Sequence, residues 1–114
     1  MKNVVVVGGG AAGMMAAYAA AKNGNNVTLC ERNEKLGKKI YITGKGRCNF
    51  TNDCDEADFL ENVFENMSFM YSSIYTFPPS SMMELMENAG LEIKTERGGR
   101  VFPASDKASD VTKT

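Results

Sequence analysis

The sequence contains no histidine and no tryptophan. Without imidazole, this stretch has neither a histidine general acid or base nor a histidine-ligated metal. Its cysteines, Cys30, Cys48 and Cys54, are odd in number and lack C-x-x-C spacing, which argues against a zinc site. No convincing export signal is present, so reduced thiols and a cytoplasmic location are expected. Cys30 reads as a small buried strand residue. Net charge is also lacking: 13 basic and 14 acidic side chains leave −1. Nothing electrostatic therefore draws the chain to nucleic acid or to an anionic membrane, and neither is expected as a partner. There are no internal repeats, low-complexity tracts or inter-domain linkers. With 43% hydrophobic residues over 114 positions, the composition is that of an ordinary soluble domain.

What is present begins with Val4-Val5-Val6-Val7, a β-branched run that reads as a strand buried on both faces. Gly8, Gly10 and Gly13 follow at the G-x-G-x-x-G positions and enclose Ala11 and Ala12, and an Ala-rich helix starts at once. The first glycine permits the turn off the strand, the second lets a pyrophosphate approach the backbone, and the third lets helix and strand pack closely. Free N–H groups and the positive end of the helix dipole would hold the phosphates.

The spacing downstream strengthens a fingerprint that is weak alone. Ala17 could face the sheet, and Gly24 would close the helix with a left-handed cap. Val27 to Glu31 reads as a second strand ending in a carboxylate, 18 residues after Gly13. That is close to the roughly 20-residue spacing of the acid that binds a ribose diol. A 2′-phosphate there would be repelled, which argues against NADP at this position. The uncharged run Val4–Ala21, in which Gly9 to Gly13 spells G-x-x-x-G, has a rival reading as a membrane anchor or signal peptide. Its Ala- and Gly-rich composition opposes that reading, and a membrane helix explains neither Gly24 nor the second strand.

Arg32 to Lys39 has the look of a polar loop, and Lys35, Lys38, Lys39, Lys45 and Arg47 make this the most basic local region. These residues form either a solvated loop or cations facing a bound diphosphate. Thr43-Gly44-Lys45-Gly46-Arg47-Cys48-Asn49-Phe50-Thr51-Asn52 is not a Walker A loop, because no Ser or Thr follows Lys45. It could be a polar turn in which Asn49 and Asn52 bond their own backbone. Alone, its chemistry is ambiguous.

The fingerprint, Gly37-Lys38-Lys39, the Thr43-to-Asn52 run and Glu96-Arg97-Gly98-Gly99-Arg100-Val101-Phe102-Pro103 together resemble the BaiN-like (YhiN-type) flavoproteins. These are bacterial NAD(P)/FAD-dependent oxidoreductases, and the resemblance runs along essentially the whole chain. It implies FAD as cofactor, with Gly8, Gly10, Ala11, Ala12, Gly13 and Glu31 at its ADP half and Arg32 and Lys39 close by. Gly46, Arg47, Cys48 and Asn49 would lie further along, toward the pyrophosphate and flavin. NAD(P)H would donate electrons at a site outside this chain. Cys48 is a candidate redox thiol or, more simply, a packing residue. No residue stands out as catalytic, with Tyr41 and Lys45 weak candidates. Family members often carry glycine where this sequence has Lys45. If that glycine needs a positive φ, the turn must differ here.

Beyond the loop, Asp53 or Asp55 could cap a helix. Phe59, Leu60, Val63, Phe64, Met67, Met70 and Tyr71 then fall at helical spacing and read as core. Ser81 with Glu84 fits a capping box for a second helix, ended by Gly90. Leu91–Thr95 and Arg100–Phe102 form a short β-hairpin across Arg97-Gly98-Gly99, and Ser105 or Asp106 caps a last helix. The expected fold is α/β: a Rossmann-like βαβ FAD-binding unit, two helices and a short β-hairpin, an incomplete doubly wound domain. Residues 1–114 would be the N-terminal part of an FAD-binding domain in a flavin-dependent oxidoreductase, inactive or nearly so alone. The alternatives are a non-catalytic NAD- or ADP-binding module and an inactive truncated fragment.

Overall fold

The first strand, β1 (Asn3–Val7), pairs in parallel with β2 (Asn26–Cys30), with Val4 opposite Val27 and Val7 opposite Cys30. Between them runs α1 (Ala11–Lys22) in a computed structural model that describes all 114 residues. Parallel neighbours need such a crossover, and Gly24 makes the return sharp at a φ of +77°. The N–H groups of Gly24 and Asn25 donate to the carbonyls of Ala21 and Ala20, the two bonds of a Schellman ending. No helix is long and apolar enough to cross a membrane, and the uncharged run is divided between β1 and α1.

Contrary to expectation, β1 is not buried on both faces. Val4 and Val6 are half-buried on the side where Val6 faces Gly13 of α1, whereas Val5 and Val7 are 65% and 86% exposed. The sheet has only two strands, and α1 covers one face of it. The same alternation corrects the reading of Cys30, which is exposed.

A second sheet is antiparallel in the order β3-β5-β4, from β3 (Thr51–Asn52), β4 (Ile93–Glu96) and β5 (Arg100–Pro103). The expected hairpin is β4 and β5, with Glu96 opposite Arg100. The short β3 was not anticipated. The Asn52 amide donates to the Gly98 carbonyl at 2.9 Å, pinning the hairpin turn and not its own backbone. Around this sheet the core gathers Cys48, Met86, Leu91, Ala108 and Val111, with Ile40, Phe50, Met82 and Ile93 packed against them.

The polar loop after Glu31 contains a short helix, α2 (Lys38–Tyr41), followed by a tight turn at Thr43–Gly46. The apolar stripe from Phe59 is two helices, α3 (Glu56–Glu61) and α4 (Met67–Thr76), and little of it is core. Of its residues Phe64, Met67 and Tyr71 are exposed and only Leu60 is buried, and the buried residue of α4 is Ile74, outside the stripe. The break falls at residues that favour helix ends: the Asn62 amide turns back to the Asp58 carbonyl at 2.8 Å, and Asn66 is left-handed at a φ of +57°. Asp55 caps α3 by accepting the Asp58 N–H at 2.8 Å.

Ser81 is not a cap. Helix α5 (Pro79–Asn88) starts two residues earlier, with Pro79 at the first helical position, where its missing N–H costs nothing. In α6 (Ala108–Lys113) the N-cap position is Lys107, because Ser105 donates to Asp110 and Asp106 is drawn to Arg47 and Lys94.

Candidate functional site

At the C-terminal end of β1 the chain turns through Gly8 at a φ of +101°, and the Gly8 N–H donates to the Cys30 carbonyl at 2.8 Å. Gly13 then passes so close to the Gly8 carbonyl that a Cβ would overlap it. Gly10 occupies the N-cap of α1 in extended conformation and offers no side-chain cap. The first intrahelical bond runs from Met14 N–H to Gly10 C=O at 2.9 Å, so the N–H groups of Ala11, Ala12 and Gly13 have no acceptor. A Cβ built on Gly8 or Gly10 would meet nothing within 4 Å, so this end of α1 is open. An open helix start with three free donors carries a positive partial charge that favours anions.

Glu31 follows β2 and lies beside that opening. Its Oε2 accepts the Gly9 N–H at 2.7 Å, and its Oε1 accepts the Asn33 N–H at 2.9 Å and the Asn33 side-chain amide at 3.1 Å. The carboxylate thus joins the fingerprint loop to the end of the neighbouring strand. The Asn33 and then the Gly9 N–H groups hold the Glu31 carboxyl below the ordinary carboxylate range. A depressed folded-state pKa means this contact stabilises the fold above the unfolded pKa and is lost as pH falls through the folded one. In an acid titration followed by amide NMR, the Gly9 resonance is expected to move with a midpoint below that of a free glutamate. A midpoint at the free value would mean that Glu31 does not bind Gly9 in solution.

The expected site residues form two groups. Gly8, Gly10, Ala11, Ala12, Gly13 and Glu31 come together at the strand ends, with Arg32 exposed next to Glu31. The second group, Gly46, Arg47, Cys48 and Asn49, is linked to the first through Gly37, whose N–H donates to the Gly9 carbonyl at 2.8 Å just before α2. Lys39 lies exposed in α2. Gly46 and Asn49 are exposed, but Cys48 is 1% exposed, with its side chain in the core. Burial pushes its thiol up, with a smaller opposing effect from a Thr43 hydrogen bond, so it packs instead of presenting a thiolate.

Arg47 turns inward to Glu96 and Asp106. Lys45 itself takes the left-handed conformation, at a φ of +56°. Sequence reasoning missed Gly9 and Asn33 as partners of Glu31, and it missed the grouping of Arg47 with Lys94, Glu96 and Asp106. The one signal for the latter was the Lys94-x-Glu96 spacing, which puts both side chains on one face of β4.

Comparison with known proteins agrees with this geometry. The HI0933-like protein Rossmann domain matches residues 2–114. The chain is 37% identical over 94 residues to the 3-dehydro-bile acid delta(4,6)-reductase of Clostridium scindens, covering 82% of this chain and 22% of that protein. It is 31% identical over 83 residues to the ribosomal RNA dihydrouridine synthase of Haemophilus influenzae, covering 72% and 20% of the two chains. The Escherichia coli ribosomal RNA dihydrouridine synthase is 30% identical over 92 residues, with 81% and 22% covered. The chain therefore spans about a fifth of the length of these relatives. With a parallel β-α-β opening, a glycine fingerprint at its crossover and a matching profile along nearly every residue, the chain belongs to the HI0933-like Rossmann-domain family of BaiN/YhiN-type flavin-dependent oxidoreductases.

Proposed function

We propose that residues 1–114 bind the ADP half of FAD and serve as the cofactor-holding segment of a flavin-dependent reductase. The observation that carries this reading is the open start of α1, with three unpaired N–H groups beside an ordered Glu31 carboxylate. The donor set fits the group. Diphosphate oxygens accept hydrogen bonds, and Ala11, Ala12 and Gly13 offer donors at the positive end of a 12-residue helix. A ribose diol donates, and Oε2 of Glu31, which accepts one bond, keeps capacity for another. The same negative charge repels a ribose 2′-phosphate.

When bound, the flavin supplies the hydride chemistry. The chain's own residues bind and orient it: α1 holds the phosphates, Glu31 the sugar, and the Gly44–Asn52 loop lies toward the flavin. The names of the relatives support a substrate class. A delta(4,6)-reductase and a dihydrouridine synthase each describe hydrogen added across a conjugated carbon–carbon double bond. We assign that class of reaction to the whole protein, with substrate and NAD(P)H both bound outside these residues.

Titrating the purified chain with FAD, ADP, AMP and adenosine 2′,5′-bisphosphate tests the assignment. FAD and ADP are expected to bind, FAD the tighter, and the 2′-phosphorylated nucleotide at least tenfold more weakly than AMP, which carries the same single 5′-phosphate. Failure of both FAD and ADP to bind would overturn the reading, as would indifference to the 2′-phosphate.

A further inference from the structure

The motif resemblance puts Arg47 among the cofactor ligands, yet its guanidinium is engaged inside the protein. Its Nε donates to Asp106 Oδ1 at 2.8 Å, and its Nη2 lies 2.6 Å from the same oxygen and 2.5 Å from Glu96 Oε2. Lys94 Nζ lies 2.6 Å from Asp106 Oδ2 and 3.3 Å from Glu96 Oε2. Two cations and two carboxylates thus alternate around a closed ring, and the Arg47 guanidinium lies 4.0 Å from the centroid of the Phe102 ring. The ring joins β4, the turn after β5 and the loop after α2.

What the ring holds is strained. Gly44, Lys45, Gly46 and Cys48 have φ of +55°, +56°, +84° and +59°, and two of these residues carry side chains. Asp106, on the other side of the ring, is also left-handed at +59°. Such conformations persist only where the surroundings over-determine them. The loop's own bonds, Arg47 N–H to Gly44 C=O and Cys48 N–H to Thr43 C=O, are both 3.1 Å. Two neighbouring side chains add the missing constraint: Cys48 is sunk in the core, and Arg47 is locked in the ring.

We infer that Arg47 is a positioning residue: the Arg47–Glu96–Lys94–Asp106 ring presets the left-handed 43–48 loop for the flavin end of the cofactor, and Arg47 does not itself hold the diphosphate. The inference rests on the FAD reading above. It separates the two halves of FAD, because ADP reaches only α1 and Glu31.

The test uses Arg47→Met, Glu96→Gln, their double variant and the milder Arg47→Lys. Three quantities are measured: FAD affinity, ADP affinity, and the iodoacetamide alkylation rate of Cys48 by mass spectrometry, with exposed Cys30 as internal reference. Arg47→Met and Glu96→Gln are each expected to lower FAD affinity about tenfold and to leave ADP affinity unchanged, and the double variant to be no worse than either single. Cys48 alkylation is expected to rise at least tenfold, with the Cys30 rate and the circular dichroism unchanged. Arg47→Lys, which keeps the charge but loses the fork, falls between.

A drop in ADP affinity for Arg47→Met and not for Glu96→Gln would overturn the inference in favour of a direct phosphate contact. Unchanged FAD affinity in a variant whose Cys48 has become reactive would overturn the positioning role, and unchanged Cys48 reactivity would overturn the ring's hold on the loop. If the unaltered chain binds neither nucleotide, the FAD reading fails with the flavin role built on it. The alkylation rates then still decide whether the ring holds the loop.

Discussion

Gly13→Ala is expected to destabilise the chain by about 3 kcal/mol, near the upper end for forcing extra atoms into a packed site. It is also expected to lower FAD and ADP affinity roughly a hundredfold, the scale of a misplacement of about 1 Å in a binding constellation. The reason is geometric. A Cβ at Gly13 would overlap the Gly8 carbonyl, which is backbone and cannot swing aside as a long side chain would. Helix α1 must back away from β1, carrying with it the free N–H groups proposed to hold the phosphates. Gly10→Ala is the control: its Cβ would meet nothing within 4 Å. That variant should unfold at the same urea concentration as the unaltered chain, so any loss of nucleotide binding in it comes from crowding the ligand. Equal unfolding midpoints for Gly13→Ala and the unaltered chain would show that helix and strand do not approach as described.

This contrast also explains how much of the fold was legible in advance. The βαβ unit could be read because its geometry is imposed on single residues: a turn that only Gly8 makes easily, an approach that only Gly13 permits, a left-handed helix end at Gly24. Backbone requirements of this kind leave a local mark in the sequence. The β4–β5 hairpin was legible on the same grounds, since Gly98 and Gly99 sit at φ of +77° and +74° between the alternating Leu91–Thr95 and the short Arg100–Phe102.

Elements whose character depends on distant partners were misread. Val5 and Val7 carry the composition of a strand with two covered faces, and composition does not reveal whether the second cover lies within the chain. The stripe from Phe59 to Tyr71 has helical spacing, but Asn62 and Asn66 divide it, and Phe64, Met67 and Tyr71 are exposed. Arg47 is the sharpest case of what the sequence hides: the partners of its guanidinium, Glu96 and Asp106, lie 49 and 59 residues away in the chain.

Glu31→Gln is expected to weaken ADP and FAD alike by roughly ten- to a hundredfold, as the proposed hydrogen bond from the ribose diol to a charged acceptor is lost or reversed. The two nucleotides share the same ribose, so equal losses distinguish this position from the ring around Arg47, where FAD alone should suffer. The amide also has to face donors it can no longer satisfy. Gly9 and Asn33 present N–H groups to both oxygens of the carboxylate, and a glutamine meets one of them with its own NH2. Part of the loss therefore comes from a displaced fingerprint loop. Measuring both nucleotides together with adenosine 2′,5′-bisphosphate separates the contributions. Displacement weakens all three, whereas removing the negative charge specifically favours the 2′-phosphate, so the preference for ADP over the bisphosphate should shrink at least tenfold. Preference retained at full strength in Glu31→Gln would mean that the carboxylate orders the loop but does not read the sugar.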